Sequence, residues 1–407
     1  MLDYDVIIVG GGPAGLMAAN QFEAHHVNYL LLEKHASVGT KLLLTGGRRC
    51  NVTNNQHVDQ FIEHLSVKNK RFIYASLMSF GPTDIIDFFK SKGLALRLEN
   101  QFKYFPETEK SQSVLDALTK DIHPSRILTH HPVKKILKEN NQWVLHVNEK
   151  KFSAKHVIVA VGSHSFPKTG STGDGLIFAK DLSISYTPYT PAETHVYAQD
   201  VSTRLRDLQG LSLSQIEMSI RGTKKKVVDD VIFTHFGLSG PGIMHLSEDM
   251  YAFLQQQKTE LEFKLISLDE QTFDMVLHQA TKEKTYLLKW LDDYLPKRLS
   301  RKILELMDIK NCPTQQLQQK DIIKLKDYLF HFKIPIDRVE DKERAYVNAG
   351  GIDLSELNPK TLMVKQLPNL YFIGEVIHIH GPIGGYNITM ALSMGHLCAK
   401  GIVNDLK

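Results

Sequence analysis

The sequence predicts an α/β protein with a strand–glycine loop–helix unit at each end of the chain. Three observations carry this. A strand–glycine loop–helix–strand unit opens the chain at "VIIVGGGPAGLMAA". Between residues 188 and 344 the texture changes to short alternating strands and then lysine-studded helices. A second buried strand, glycine loop and long helix, "LYFIGEVIHIHGPIGGYNITMALSMG", stand at the far end.

Residues 6–9 are an unbroken apolar run, the composition of a parallel strand buried on both faces. Gly10, Gly12 and Gly15 follow as G-x-G-x-x-G. The first permits a tight turn, the second lets a diphosphate reach the backbone, and the third lets helix and strand pack closely. Pro13 and Ala14 begin the helix, where a missing proline N–H costs nothing. The helix N-terminus offers unpaired amides and partial positive charge to a diphosphate. A second strand, residues 28–32, runs into Glu33, 18 positions after Gly15. An acid there suits a ribose diol and disfavours a 2′-phosphate. Strand, helix, second strand and acid agree on a dinucleotide site, but they do not choose between NAD and FAD.

Next comes "VGTKLLLTGGRRCNVTNN". It lacks the earlier glycine of a phosphate-cradling P-loop. Its adjacent Gly46 and Gly47 allow a chain to pass flat against a planar ring, and Arg48 and Arg49 supply charge for a diphosphate. As pattern alone the stretch also reads as a solvated turn. Helical periodicity is expected across residues 61–80 and 84–92, and a strand pair in "LALRLENQFKYFPE". Alternation over residues 132–162 predicts a three-stranded meander returning to a buried strand at 157–161.

From residue 188 to 344 short strands with turn signals predict an antiparallel barrel or sandwich. Residues 269–332 turn helical, with Leu287, Leu288, Leu291 and Leu295 on one face as core. Lys224 to Lys226 read as a hairpin turn, and Cys312-Pro313 as a loop. In the closing segment, residues 370–373 form a buried strand ending at Gly374-Glu375, Asn387 is the expected helix N-cap, and apolar residues from Ile388 onward recur at helical spacing.

A chain of 407 residues can bury more than one core, and its net charge of +4 tolerates an anionic ligand without the basic clustering of a nucleic-acid binder. Three scattered cysteines argue against a zinc site or disulfide framework and fit a reducing cytoplasm. Asp3 and Asp5 before a short apolar run do not make a signal peptide, and no apolar stretch is long enough to span a bilayer.

On "VGGGPAG", "GTKLLLTGGRRCNVTN", "GSTGDG", "FTHFGLSGPGIMHLS", "NAGGIDLSELNPKTL" and "LYFIGE…GGYNITMALSMG", the chain resembles, over essentially its full length, the BaiN-like (YhiN-type) FAD-dependent oxidoreductases among the glutathione-reductase-like flavoproteins. The resemblance implies a discontinuous Rossmann-like FAD-binding domain, residues 1–187 and 345–407. Inserted in it is an antiparallel β-barrel-like domain, residues 188–344, with a helical portion near 269–332. The insert reads as a substrate cover or as a stabilising addition. Beyond the first loop and Glu33, the resemblance implies FAD contacts from Lys34, Lys41, Thr45, Gly46, Gly47, Arg49, Cys50 and Asn51. It adds Val133, Ala160, Val161 and Gly162, and from the closing segment Gly374, Glu375, Gly384, Gly385, Asn387 and Ile388. This chain departs from the common pattern at His378, at Pro382-Ile383, and at Arg48, where many members carry a third glycine.

The resulting expectation is an FAD-dependent oxidoreductase moving hydride through flavin N5 to or from a small organic substrate, with NAD(P)H as a transient donor. The alternatives are an oxidase returning electrons to oxygen, as the aminoacetone-oxidase label of the family suggests, a tRNA-interacting flavoprotein, and a flavin redox sensor without turnover. Candidate reacting groups are His378 and His380, as acid–base groups or as two loop residues facing apart, and Cys50, as a sensor thiol or a packed residue beside the ring.

Overall fold

The computed structural model describes residues 2–65, 67–100 and 102–407. They form two compact units, Met1–Thr190 with Lys342–Lys407, and Pro191–Asp341.

In the first unit the apolar run at residues 6–9 sits inside the strand Leu2–Val9, with each of those side chains no more than 4% exposed. This strand pairs in parallel with Tyr29–Leu32 on one side and Lys150–Val159 on the other. Ile127–Leu128 extends the sheet beyond Tyr29–Leu32, and Leu370–Phe372 extends it beyond Lys150–Val159, both in parallel. The meander is Val133–Glu139, Gln142–Val147 and the first half of Lys150–Val159. One ten-residue strand thus serves two partners on the same edge, the meander along 150–154 and Leu370–Phe372 along 157–159. The parallel strands end together at Val9, Leu32, Val159 and Phe372, so Gly10, Glu33, Ala160 and Gly374 leave the sheet at the same edge. Ligands of open α/β sheets bind outside these carboxyl ends.

Two helices lie beside that edge. The opening helix Pro13–Ala24 is buried along most of its length, from Ala14 to Asn20 and at Phe22. It packs against the closing helix Tyr386–Leu406. A Cβ at Gly395 would stand 2.3 Å from the Ala14 carbonyl oxygen, so the helices approach this closely only because position 395 has no side chain.

The continuous helix expected over 61–80 is instead three pieces, Val58–Glu63, a 3-10 turn at Lys70–Ile73, and Tyr74–Ser79. The polar run 68–71 interrupts the apolar period, while Phe61, Ile62, Leu65, Ile73, Leu77 and Phe80 stay buried on either side of it. The next helix, Pro82–Ser91, starts at its proline, and the Asp84 carboxylate accepts the Gly81 N–H at 2.8 Å. The strand pair is Leu96–Glu99 with Lys103–Pro106.

The second unit has its own core. Its sheet runs Phe332–Ile336, Thr259–Lys264, Ser212–Ile220, Lys226–Phe233, Gly237–Ser239, Val196–Tyr197, Arg338–Val339. The two ends of this order are separated in the chain only by Asp337, so one bent strand closes the sheet into a barrel and removes its free edges. Lys224 and Lys225 occupy the hairpin between Ser212–Ile220 and Lys226–Phe233. Four helices, Glu270–Lys282, Leu287–Asp292, Lys297–Met307 and Gln319–Phe330, form the helical portion. Leu287, Leu291 and Leu295 are buried there, while Leu288 is partly exposed.

Candidate functional site

At the carboxyl edge of the parallel sheet, segments from both chain ends line a cleft that is open to solvent. Its walls include Gly10 to Ala14, the stretch Leu32 to Lys34, Lys41 and Thr45, then Val133, then Ala160 to Gly162. Gly374, Glu375, Asn387 and Ile388 complete it from the C-terminal side.

The three fingerprint glycines have different physical reasons. Gly10 has φ +107°, and a Cβ there would lie 2.5 Å from the Ala160 carbonyl oxygen. Gly15 does not line the cleft; its Cβ would stand 2.1 Å from the Gly10 carbonyl, so it serves helix–strand packing. Gly12 alone of the three has nothing within 4 Å of its Cβ position. It is the helix N-cap, and open space beside a helix N-terminus is the cradle a diphosphate needs.

Glu33 is held by the backbone. Its Oε2 accepts the Gly11 N–H at 2.9 Å and its Oε1 the His35 N–H at 2.8 Å. The second lone pairs of both oxygens remain for a ribose diol. Two ion pairs join the stretch after Glu33 to the facing loops, Lys34–Asp174 and Lys41–Glu375, each 2.7 Å. Thr172 accepts from Lys34 as well, and Ser163 donates to Glu375 at 3.3 Å. Asp174, within "GSTGDG", is a lone acid that carries no signal in the sequence until the fold sets Lys34 beside it.

The glycine pair differs from its expectation. Gly46 (φ 54°) and Gly47 (φ 65°) are followed by Arg48 (φ 72°), a left-handed turn, with Cys50 at φ 64° after it. Among the described residues none of these lines the cleft, although Thr45 does. Arg49 is not aimed at a diphosphate. Its guanidinium pairs with Glu99 at 2.7 Å and with Glu109, and lies 4.3 Å from the centre of the Phe105 ring. These carboxylates hold the Arg49 guanidinium above its usual pKa. Cys50 is fully buried, and that burial pushes its thiol up to about 12, the opposite of a redox-sensing thiolate.

Asn51 fits its surroundings with the amide turned so that its oxygen accepts the Gly385 N–H at 3.1 Å and its nitrogen donates to the Thr53 carbonyl at 2.9 Å. A Thr53–Thr389 hydroxyl contact of 2.8 Å and a Tyr386–Gln56 hydrogen bond of 2.7 Å complete the joint between residues 51–56 and the closing helix. The N-cap of that helix is Gly385 (φ 88°), not Asn387. Asn387 lies inside the first turn, where its Oδ1 accepts the Gly381 N–H at 2.9 Å and its Nδ2 donates to the Gly381 carbonyl at 2.8 Å. It clasps the preceding loop, a job for the same residue type that spacing alone could not separate from capping.

His378 and His380 are not brought into the cleft. His378 stands 3.9 Å from Asp353, and His380 is buried. In the second unit, Lys302 pairs with Asp207 and Glu305, and Lys326 with Asp274, so these lysines of the helical portion are neutralised locally. Among the described residues no metal-binding cluster occurs, and no helix is long and apolar enough to cross a membrane.

A ribosomal RNA dihydrouridine synthase of Escherichia coli (strain K12) is 27% identical over 98% of each chain. A 3-dehydro-bile acid delta(4,6)-reductase of Clostridium scindens is 26% identical over 97% of each. A crystal structure of 3-ketosteroid delta1-dehydrogenase from Sterolibacterium denitrificans superposes with a TM-score of 0.54 at 12% identity, covering 100% of both chains, which is a likeness of fold. The family described as HI0933-like protein Rossmann domain matches residues 4–401, and the chain belongs to this family of FAD-dependent oxidoreductases.

Proposed function

We propose that this protein binds FAD non-covalently in the cleft and reduces a carbon–carbon double bond conjugated to a carbonyl in a small organic substrate, with NADH or NADPH as the transient electron donor. The observation that carries the reading is Gly12: an uncrowded glycine capping a helix, at the edge where Glu33 also leaves the sheet. That arrangement fits a dinucleotide diphosphate and its ribose. The names of two relatives support the reaction class, since a dihydrouridine synthase and a delta(4,6)-reductase both saturate such double bonds.

Bound FAD would supply two-electron hydride chemistry at flavin N5. The chain's own residues bind and orient. The amides of the opening helix would hold the diphosphate, and Glu33 would accept from the ribose diol. Lys41 and Glu375, 2.7 Å apart, present opposite charges where the cofactor's ribityl chain would run. The first turn of the closing helix would offer its partial positive charge to the flavin end of the bound cofactor.

The test is anaerobic reduction of the FAD-loaded protein by NADH and NADPH, followed by reoxidation with a cyclic enone or with oxygen. Faster reoxidation by the enone supports the reading, and oxygen outrunning every enone makes the protein an oxidase. Failure to retain or regain FAD would sink the central claim.

A further inference from the structure

The loop from Thr45 to Cys50 carries two adjacent arginines with different surroundings. Arg49 is held by Glu99, Glu109 and the Phe105 ring. Arg48 is exposed and has no carboxylate or hydrogen-bond partner among the described residues, whereas the cleft-lining Lys34 and Lys41 each have a carboxylate at 2.7 Å. Arg48 is also conformationally costly. It is the third consecutive residue of a left-handed turn, after Gly46 and Gly47, at φ 72°. A residue with a Cβ is disfavoured there, and glycine adopts the conformation without penalty. The turn is closed by the Arg49 N–H to the Gly46 carbonyl at 3.2 Å and the Cys50 N–H to the Thr45 carbonyl at 3.1 Å, bonds that need no arginine side chain at 48. Beside it Gly47 leaves open space, with nothing within 4 Å of its Cβ position, and Thr45, three residues earlier, lines the cleft. A strained, unpartnered cation beside open space, three residues from a cleft-lining threonine, has no structural reason to be arginine.

We propose that Arg48 recognises an anionic oxygen group, carboxylate or phosphate, on the compound this site takes. The inference rests on the flavin reading above. It narrows the substrate from any conjugated carbonyl compound to one that carries such a group, which a planar guanidinium grips through two parallel hydrogen bonds.

The experiment uses the FAD-loaded protein, the Arg48→Gly variant and the Arg48→Lys variant. FAD content is measured first. Each is then titrated with benzoate, phenyl phosphate and the neutral isostere benzamide, read by the flavin difference spectrum. For the wild type at least one anion should bind about tenfold more tightly than benzamide or better, the range a charge-assisted contact supplies. Arg48→Gly should lose that preference while binding benzamide unchanged, and Arg48→Lys should keep part of it. The melting temperature of Arg48→Gly should not fall, because the backbone strain is relieved. The stronger of the two anions distinguishes carboxylate from phosphate. An anion preference that survives in Arg48→Gly, or a wild-type flavin that no anion perturbs more than benzamide does, overturns the proposal. Absence of FAD from both wild type and variants refutes the flavin reading instead.

Discussion

Replacing Gly12 with alanine separates folding from cofactor binding. Gly12 has φ −82° and ψ −178°, ordinary values for any residue, and its Cβ position is open. Alanine narrows the unfolded ensemble, a gain of about 0.4–1 kcal/mol. Alanine is also the poorer helix N-cap, at a cost of roughly 0.5–1 kcal/mol. The two offset, so the FAD-free variant should melt within about 0.5 kcal/mol of wild type. The methyl would project into the space where the diphosphate must approach. Losing two charge-assisted hydrogen bonds from the helix amides, at about 1.5 kcal/mol each, weakens FAD binding on the order of 100-fold. Gly15→Ala is the control of opposite kind, since its Cβ would lie 2.1 Å from a backbone oxygen and should damage the fold itself. The assay pairs thermal melts of the FAD-free proteins with FAD fluorescence titrations. Gly12→Ala binding FAD within threefold of wild type would refute the assignment of this glycine to the diphosphate.

Three further outcomes are expected. Glu33→Ala leaves the Gly11 and His35 N–H groups without their acceptor and removes the ribose acceptor, so both the melting temperature and FAD affinity should drop; a variant that loses neither contradicts the placement. Burial holds the Cys50 thiol protonated, so a thiol reagent at pH 8 should label Cys312 in the native protein and leave Cys50 and Cys398 until unfolding, checked by peptide mass. His396, stacked on Phe80 at 4.5 Å between ring centres, is lowered by burial to about 4. Its folded pKa lies below the unfolded one near 6.5, so the unfolded chain binds more protons between these values. Stability from this residue is therefore intact above pH 6.5, falls as the pH drops toward 4, and levels off below. The span is on the order of 2–3 kcal/mol, and His396→Phe should flatten that part of a urea-midpoint profile relative to wild type.

Much of the carboxyl edge of the parallel sheet was legible in the chain because it is local. The apolar run at residues 6–9, the glycine spacing and Glu33 lie within one βαβ unit, where steric rules tie residue type to backbone conformation. The long closing helix was equally readable from its period. The expected helix over 61–80 was not, because its breaks depend on which side chains find a core to enter. Arg49 and Asn387 show a second limit. Each residue type suited the expected role, yet Glu99, Glu109 and the Gly381 backbone hold them in other ones.

By itself, then, the sequence determined the dinucleotide unit, the meander, the antiparallel texture of the middle stretch, and the family to which it belongs. These are patterns of spacing that survive without knowledge of contacts. Tertiary structure alone decided that strands ending at Val9, Leu32, Val159 and Phe372 finish at one edge, so that residues more than 300 positions apart, such as Lys41 and Glu375, meet across 2.7 Å. It alone decided which of two neighbouring arginines is paired and which is free. Partners in ion pairs are chosen by distance in space, and nothing in the order of residues records that distance until the chain has folded.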